Sequence, residues 1–376
     1  MAAVHTIADR TPAAHTCTGS TLRPASQPPV RLRDVADPKT STKQQTDWDG
    51  VRLHIVTGKG GTGKTTVAAG LALALASSGK HVLLCEVEDR QGIASLFDVP
   101  PLPYEERRIA SGAGSQGDGG GYIYALAIDT KSALLEYLAM YYRLGRAGRA
   151  LEKFGVIDFA TTIAPGVRDV LLTGKVYEVV HRNRRSRNAR QYDAVVLDAP
   201  PTGRIAQFLN VNSELAGLAK VGPIKNQAHN VMTLLQSRET AVHLVTVLED
   251  MPVQETADGI EQLRAAKVPI GGVFVNLARP DDLGKGARTK AIKGNLPKKQ
   301  IEEGLAAAGI KSTAKLADAL LSEARDHAER RVLEDDQRKL IRALDVATYE
   351  LPRLTDGVDL GGLYELAAEL CEQGIS

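Results

Sequence analysis

From residue 51 onward, short apolar runs alternate with longer stretches of helical period. Val51, Leu53 and Ile55 alternate as a strand requires, and Val56 extends the run. Thr66 to Ala76 follows, rich in Ala and Leu, which are strong helix formers. His81 to Glu88 (HVLLCEVE) is a near-continuous apolar run that suits a parallel strand buried on both faces. Tyr122–Asp129, Tyr192–Asp198, Val242–Leu248 and Ile270–Asn276 repeat that pattern, and Tyr349–Leu351 predicts a last strand or turn. Helical spacing runs over Ser132–Phe154, with Leu134, Leu135, Leu138, Tyr141, Tyr142 and Leu144 as its stripe and Gly145 and Gly148 as break points. It recurs from Ala164-Pro165-Gly166 to Val180, over Val253–Ala266, over Ile301–Leu344 with Leu316, Leu320 and Leu321 as core contacts, and over Leu360–Cys371. Gly112–Gly121 reads as a flexible loop, Arg182–Arg190 as a solvated basic loop, and Arg279–Lys299 as a polar, irregular segment. This alternation predicts an α/β fold: a doubly wound, mostly parallel sheet with helices on both faces. One domain is expected over 50–376, with a small helical subdomain built from elements inserted at about 131–181 and 204–240.

Residues 1–49 break the pattern. They are rich in Ala, Thr, Pro and Ser, show no apolar periodicity, and read as a disordered tail outside the fold. A secretory signal would need a basic start and an apolar core, and this tail has neither. No run approaches the ~18 apolar residues that span a bilayer. Cys17, Cys85 and Cys371 are far apart and odd in number, which suits a reducing cytoplasm rather than a disulfide framework. With 47 Lys plus Arg against 45 Asp plus Glu, no strong global field draws the chain to nucleic acid or membrane. Aromatics at 4% argue further against a base-stacking platform.

Between the first strand and the first helix lies the chemistry. Gly58 to Thr65 fits G-x-x-x-x-G-K-[ST] at every position: Gly58, Lys59, Gly60, Gly61, Thr62, Gly63, Lys64, Thr65, followed by Thr66. Glycines let backbone N–H groups wrap a phosphate, and the helix N-terminus adds partial positive charge. Lys64 would reach the β/γ-phosphates and the Thr65 hydroxyl would hold Mg²⁺. ATP and Mg²⁺ are therefore the expected ligands. Asp198 ends an apolar strand where a second carboxylate would steady Mg²⁺ through water, and Gly203 lies in a loop able to sense the γ-phosphate through its N–H. Glu86, Glu88 and Asp89 fall at the carboxyl end of the second strand, beside the same phosphate.

The loop Lys59-Gly60-Gly61-Thr62-Gly63-Lys64-Thr65-Thr66 resembles the deviant Walker A loop KGGxGK[ST]T of the MinD, ParA, nitrogenase iron protein and ArsA group of dimeric P-loop ATPases. By that resemblance Lys59 reaches across a dimer interface to the neighbour's nucleotide; read alone, it is a solvated loop lysine. The stretch Asp198-Ala199-Pro200-Pro201-Thr202-Gly203, the segment ending in Asn276 and the late Leu351-Pro352 are similar to the ArsA family. That family comprises the arsenite-pump ATPases and the ATPases of guided entry of tail-anchored proteins. The likeness covers about residues 51 to 375 and is strongest to actinobacterial ArsA-type ATPases that occur as paired, non-identical subunits. It implies adenine recognition by Asn276, which by residue type serves equally as a strand cap, and a base-covering loop at Pro352.

Three departures shape the expectation. The family's switch reads D-P-A-H, and gapless alignment of Leu83–Phe97 puts Glu88 at that aspartate, with Asp89 as the fallback base. The cysteine pair of the guided-entry enzymes is absent, so no zinc is expected. Their long Met-rich insertion is also missing: about forty residues separate Gly203 from Val242, and the chain has four methionines. The expected activity is an Mg²⁺-dependent ATPase coupling nucleotide state to an unidentified protein client, as a homodimer or, more in keeping with the paired relatives, a heterodimer with a related ATPase. Two alternatives share the loop. One is a regulatory subunit that binds nucleotide and hydrolyses it weakly. The other is a MinD- or ParA-like positioning ATPase, which the acidic, Lys/Arg-free segment Leu360–Ser376 disfavours for membrane docking.

Overall fold

The computed structural model describes residues 48–88, 90–114, 120–142, 167–182, 190–205, 223–311, 313–355 and 357–376. In chain order the elements are β1 (Leu53–Gly58), α1 (Lys64–Ser77), β2 (His81–Glu86), α2 (Gly92–Leu96), β3 (Arg107–Ser111), β4 (Tyr122–Ala127), α3 (Thr130–Tyr142) and α4 (Val167–Val180). They continue as β5 (Ala194–Asp198), α5 (Pro223–Leu235), β6 (Thr240–Thr246), α6 (Asp250–Ala265), β7 (Ile270–Ala278), α7 (Gly284–Ile292), α8 (Lys298–Ala307), α9 (Ala314–Arg342), β8 (Thr348–Pro352) and α10 (Leu360–Glu372). The strands form one eight-stranded sheet in the order β3-β4-β2-β5-β1-β6-β7-β8. Every pairing is parallel except β3 with β4.

Strand alternation sorts side chains onto the two faces. Leu53, Ile55, Leu83, Cys85, Val195, Leu197, Val242 and Leu244 join one core, with Leu171, Leu172 and Val176 of α4 and Ile260 and Leu263 of α6. Val56, Val82, Leu84, Val196, Val245 and Phe274 join the other, with Val67, Leu71 and Leu75 of α1 and Leu363, Leu366 and Leu370 of α10. Both faces are covered, as the apolar strand runs imply. The doubly wound α/β class expected from the sequence is the fold observed.

Several local expectations need correction. Residues 279–299 are not irregular: α7 and the start of α8 lie there. Ala291 is the one buried residue of α7 and α8 has none, so neither carries the apolar stripe that reveals a helix in sequence. Charge anchors α7 instead, through Arg288 to Asp335 of α9 at 2.8 Å. The expected helix Ile301–Leu344 is two helices, and the core contacts assigned to Leu316, Leu320 and Leu321 fail: Leu320 is 37% exposed and the other two are half-buried. Ala317, Ala328, Arg331, Glu334, Gln337 and Ile341 are buried in α9, a face held largely by small and polar residues. Arg182, read as part of a solvated loop, is instead clamped by Glu106 at 2.5 Å and Glu178 at 2.8 Å, while 183–189 lie outside the described residues. The half-exposed β3 and the short α2 have no counterpart in the sequence reading.

Trp48, assigned to the tail by composition, packs into the domain. Its Nε1 donates to Gly271 O at 3.1 Å, and its ring lies 4.7 Å from that of His243 and 5.4 Å from that of His54. The two histidines share a hydrogen bond between His54 Nδ1 and His243 Nε2 at 3.0 Å, and both are fully buried. Burial lowers the His54 imidazole to about 3, with the Lys80 charge adding to it. Burial, then the neighbouring His54, holds His243 well below the usual histidine range. Both are therefore neutral in the fold and basic near pH 6.5 when unfolded, so the stability they contribute is intact above that pH. Below it, denaturant resistance is expected to fall by about 1.4 kcal/mol per pH unit for the first proton taken up. Urea titrations from pH 7.5 to 5 check this, and a His54→Gln variant should show a shallower slope; an unchanged slope would remove the pair as its source.

Candidate nucleotide site

The order β2-β5-β1 sets the carboxyl ends of three parallel strands side by side. In register, Val56 of β1 and Glu86 of β2 both stand opposite Asp198 of β5. Ligands bind outside such carboxyl ends, where neighbouring connections run to opposite faces.

The glycine loop leaves β1 at this level. A methyl group at Gly58 would meet Val245 O at 2.2 Å, so the backbone there runs tight against β6. The loop is then closed by Thr62, whose buried hydroxyl donates to Lys59 O at 2.8 Å. Asn276, at the end of β7, props it from outside: its Nδ2 donates to Thr62 O at 2.9 Å. Gly63 has φ +85°, and a methyl group there would lie 2.3 Å from that same Nδ2. Gly63→Ala therefore combines left-handed strain of about 1–2 kcal/mol with loss of the Asn276 prop. The alanine loop should relax away from this conformation, and ATP, which needs it restored, should bind about tenfold more weakly, read by nucleotide titration. Gly304→Ala, on α8 with open space around its α-carbon, is the control, and equal affinity in the two variants would contradict this loop geometry.

Helix α1 begins at Lys64 with no side-chain cap and no acidic residue in its first turn, which leaves N–H groups and positive dipole facing the loop. Lys64 is nine-tenths buried and has no ion-pair partner among the described residues. Thr65 Oγ1 donates to Asp198 Oδ2 at 2.7 Å, and Thr66 behind it is half-buried. Burial raises the Asp198 carboxyl to about 6; the Thr65 hydroxyl and Lys64 oppose that, and the Glu86 and Glu88 charges add to it. Asp198 Oδ1 is buried without a partner.

The segment after Asp198 is tied to β1. Ala199 N donates to Val56 O at 2.9 Å and Thr57 Oγ1 to Pro200 O at 2.7 Å. Gly203 is exposed at its far end, with open space around its α-carbon. Glu88 follows β2, with Arg90 Nε 3.8 Å from its Oε2; Asp89 lies outside the described residues. Lys59 is turned to its own chain, Nζ 2.6 Å from Glu255 Oε1 on α6, both side chains about one-third exposed. Pro352 ends β8 beside Ala278, and Arg353 N donates to Ala278 O, so it shares the sheet end of Asn276.

Two carboxylates were given no role by the sequence. Glu86 is 3% exposed and adjoins Asp198. Its place at a strand end was visible, but nothing in the pattern separates a buried carboxylate from an ordinary strand-end one. Glu255 sits on a helix distant in sequence, and no local signal marks it as the partner of Lys59.

The chain is similar to several known proteins. The family described as Anion-transporting ATPase (ArsA) matches residues 51–238. ATPase BagA of Mycobacterium tuberculosis is 52% identical over 326 residues, 87% of this chain and 94% of that protein. Putative ATPase Mb3704 of Mycobacterium bovis matches with the same identity and coverage. ATPase GET3 of Chaetomium globosum is 30% identical over 184 residues, 48% of this chain and 49% of its own length.

Proposed function

The chain belongs to the ArsA family of ATPases, and from that premise we propose that it is an Mg²⁺-dependent ATPase whose site is one half of a two-subunit centre. It binds ATP, and among the described residues no helix is long and apolar enough to cross a membrane. The observation that carries the half-site reading is Lys59: a second lysine in an otherwise complete phosphate loop, held by an ion pair that solvent reaches. Such pairs are worth about 0–1 kcal/mol, less than a charge-assisted contact to phosphate at ~1.5–3 kcal/mol. Lys59 can therefore leave Glu255 for a neighbour's nucleotide at small cost.

Within one subunit the loop N–H groups and the α1 N-terminus receive the phosphates, and Lys64 neutralises them. The residues present fit Mg²⁺: a hard cation takes oxygen ligands, Thr65 offers a hydroxyl, and Asp198 offers an unpartnered buried oxygen. When bound, Mg²⁺ would neutralise charge on the phosphate oxygens. Glu88 would orient the attacking water and accept its proton. Asn276, which already holds the loop backbone, and Pro352 stand at the sheet end where the base would lie. The nucleotide state would be passed on to an unidentified protein client.

A half-site makes catalysis depend on pairing. Specific ATPase activity should rise with protein concentration and level off once pairs saturate, and should vanish in EDTA. Activity per chain that stays constant down to concentrations where the protein is monomeric would defeat the proposal. A second reading assigns this chain ATP binding and gives most of the hydrolysis to a different partner subunit; Glu88, in place of the family's aspartate, favours it.

A further inference from the structure

We propose that Glu86 supplies a second carboxylate, beside Asp198, to the divalent cation that accompanies the nucleotide. This rests on the Mg²⁺ reading above and goes beyond it, because neither the loop motif nor the Asp198 segment assigns a role to the residue at this position.

Glu86 ends β2 and is 3% exposed. Half of its carboxylate is accounted for: Oε1 accepts from Gly92 N at 2.9 Å. The other half is not, because Oε2 is buried without a hydrogen-bond partner. Across the β2–β5 ladder, Asp198 stands opposite in register, also with one buried oxygen that has no partner. Thr65 closes the third side. A methyl group built on Gly92 would lie 3.8 Å from both Glu86 Oε1 and Thr65 Oγ1, so the glutamate and the hydroxyl are both close to that glycine. Glu86 and Asp198, each with one unpartnered buried oxygen, are therefore register neighbours at the strand ends, and the Thr65 hydroxyl is bonded to the second of them.

A buried carboxylate oxygen left without a partner is costly unless a ligand satisfies it. A capping role toward Gly92 needs one oxygen acceptor and no charge, and a neutral glutamine would fill it. A carboxylate with a free buried oxygen offers the oxygen ligand that a hard cation takes. Among the described residues no three His, Cys, Asp or Glu side chains converge as a self-sufficient metal site. The cation must then draw further ligands from the nucleotide, which makes its binding nucleotide-dependent.

The probe is Mn²⁺, followed by the loss of its free-ion electron paramagnetic resonance signal on the full-length protein with and without saturating ADP. Wild-type protein should bind Mn²⁺ far more tightly with ADP than without. Glu86→Gln keeps an acceptor for Gly92 N and removes the charge. It should weaken Mn²⁺ binding in ADP by about 10-fold or more, the range seen when groups that support a metal are removed, and leave ADP affinity in EDTA within about twofold. Glu86→Asp, which keeps the charge, should retain more Mn²⁺ affinity than Glu86→Gln. Normal Mn²⁺ binding by Glu86→Gln while Asp198→Asn weakens it would reduce Glu86 to a backbone cap and overturn the inference alone. Equal loss in the Asp and Gln variants, both folded, would also overturn it. Unaltered Mn²⁺ binding in both Glu86→Gln and Asp198→Asn would instead remove the Mg²⁺ reading of the whole site, and this inference with it.

Discussion

Lys59→Ala is expected to lower ATP turnover by about 10³-fold while leaving ATP affinity within about threefold, because charge stabilisation supplied in trans is commonly worth 10³–10⁵ in phosphoryl transfer. The split between the two readouts is what matters. Lys64 begins α1 and is proposed to serve the chain's own nucleotide, so phosphate binding should survive loss of Lys59. In the isolated chain Lys59 contacts Glu255, not the glycine loop's interior. Glu255→Gln, by the same reasoning, frees Lys59 and changes turnover by no more than about fivefold, since an exposed pair is worth less than ~1 kcal/mol. Steady-state hydrolysis together with equilibrium ATP binding checks both variants. Turnover that Lys59→Ala leaves intact would remove the cross-subunit role, and a large loss of affinity would make Lys59 an ordinary member of its own phosphate loop.

The second large effect is at Glu88. Glu88→Gln preserves shape and removes the base, and a loss of about 10²-fold or more in turnover is expected, with ATP affinity nearly unchanged. By gapless alignment Glu88 is expected at the family's switch aspartate, on a stem one methylene longer, and misplacing a catalytic group by ~1 Å costs about 10²-fold. The wild-type chain should accordingly be a slow ATPase when measured without a partner. Single-turnover hydrolysis isolates the chemical step. A Glu88→Gln variant hydrolysing at the wild-type rate would place the base elsewhere and favour the reading in which a partner subunit does most of the chemistry.

What sequence could and could not convey follows from the physics of each element. The parallel strands were legible because they are buried on both faces, so Val82–Cys85 and Ala194–Leu197 read as unbroken apolar runs. The phosphate loop was legible because backbone geometry dictates its glycines: Gly58 lies against Val245 O, and Gly63 has φ +85°. Elements held by charge left no such trace. Helix α7 buries one alanine and is anchored by Arg288, and α9 turns Arg331, Glu334 and Gln337 inward, so apolar periodicity misplaced its core contacts on Leu316, Leu320 and Leu321. Trp48 was lost to the tail because the residues before it carry no periodicity, although its ring packs against both buried histidines. In the site, contiguous motifs were readable and long-range partnerships were not. Thr65 and Asp198 were singled out separately, each toward Mg²⁺, and the structure bonds them directly; Lys59 with Glu255 joins positions 196 residues apart, with no motif to connect them.

On the proposed reading, the Gly58–Thr66 loop is half of a centre that a neighbouring subunit completes. Purification of the full chain from its native cells, followed by mass determination of the intact assembly with ATP and with EDTA, tests it most directly. With ATP the chain, 40.2 kDa alone, should be found in a two-subunit assembly, with its own copy or with a second, related ATPase; EDTA should release it. A chain that stays at its single-subunit mass under both conditions, while still hydrolysing ATP, would show that one subunit holds a whole centre.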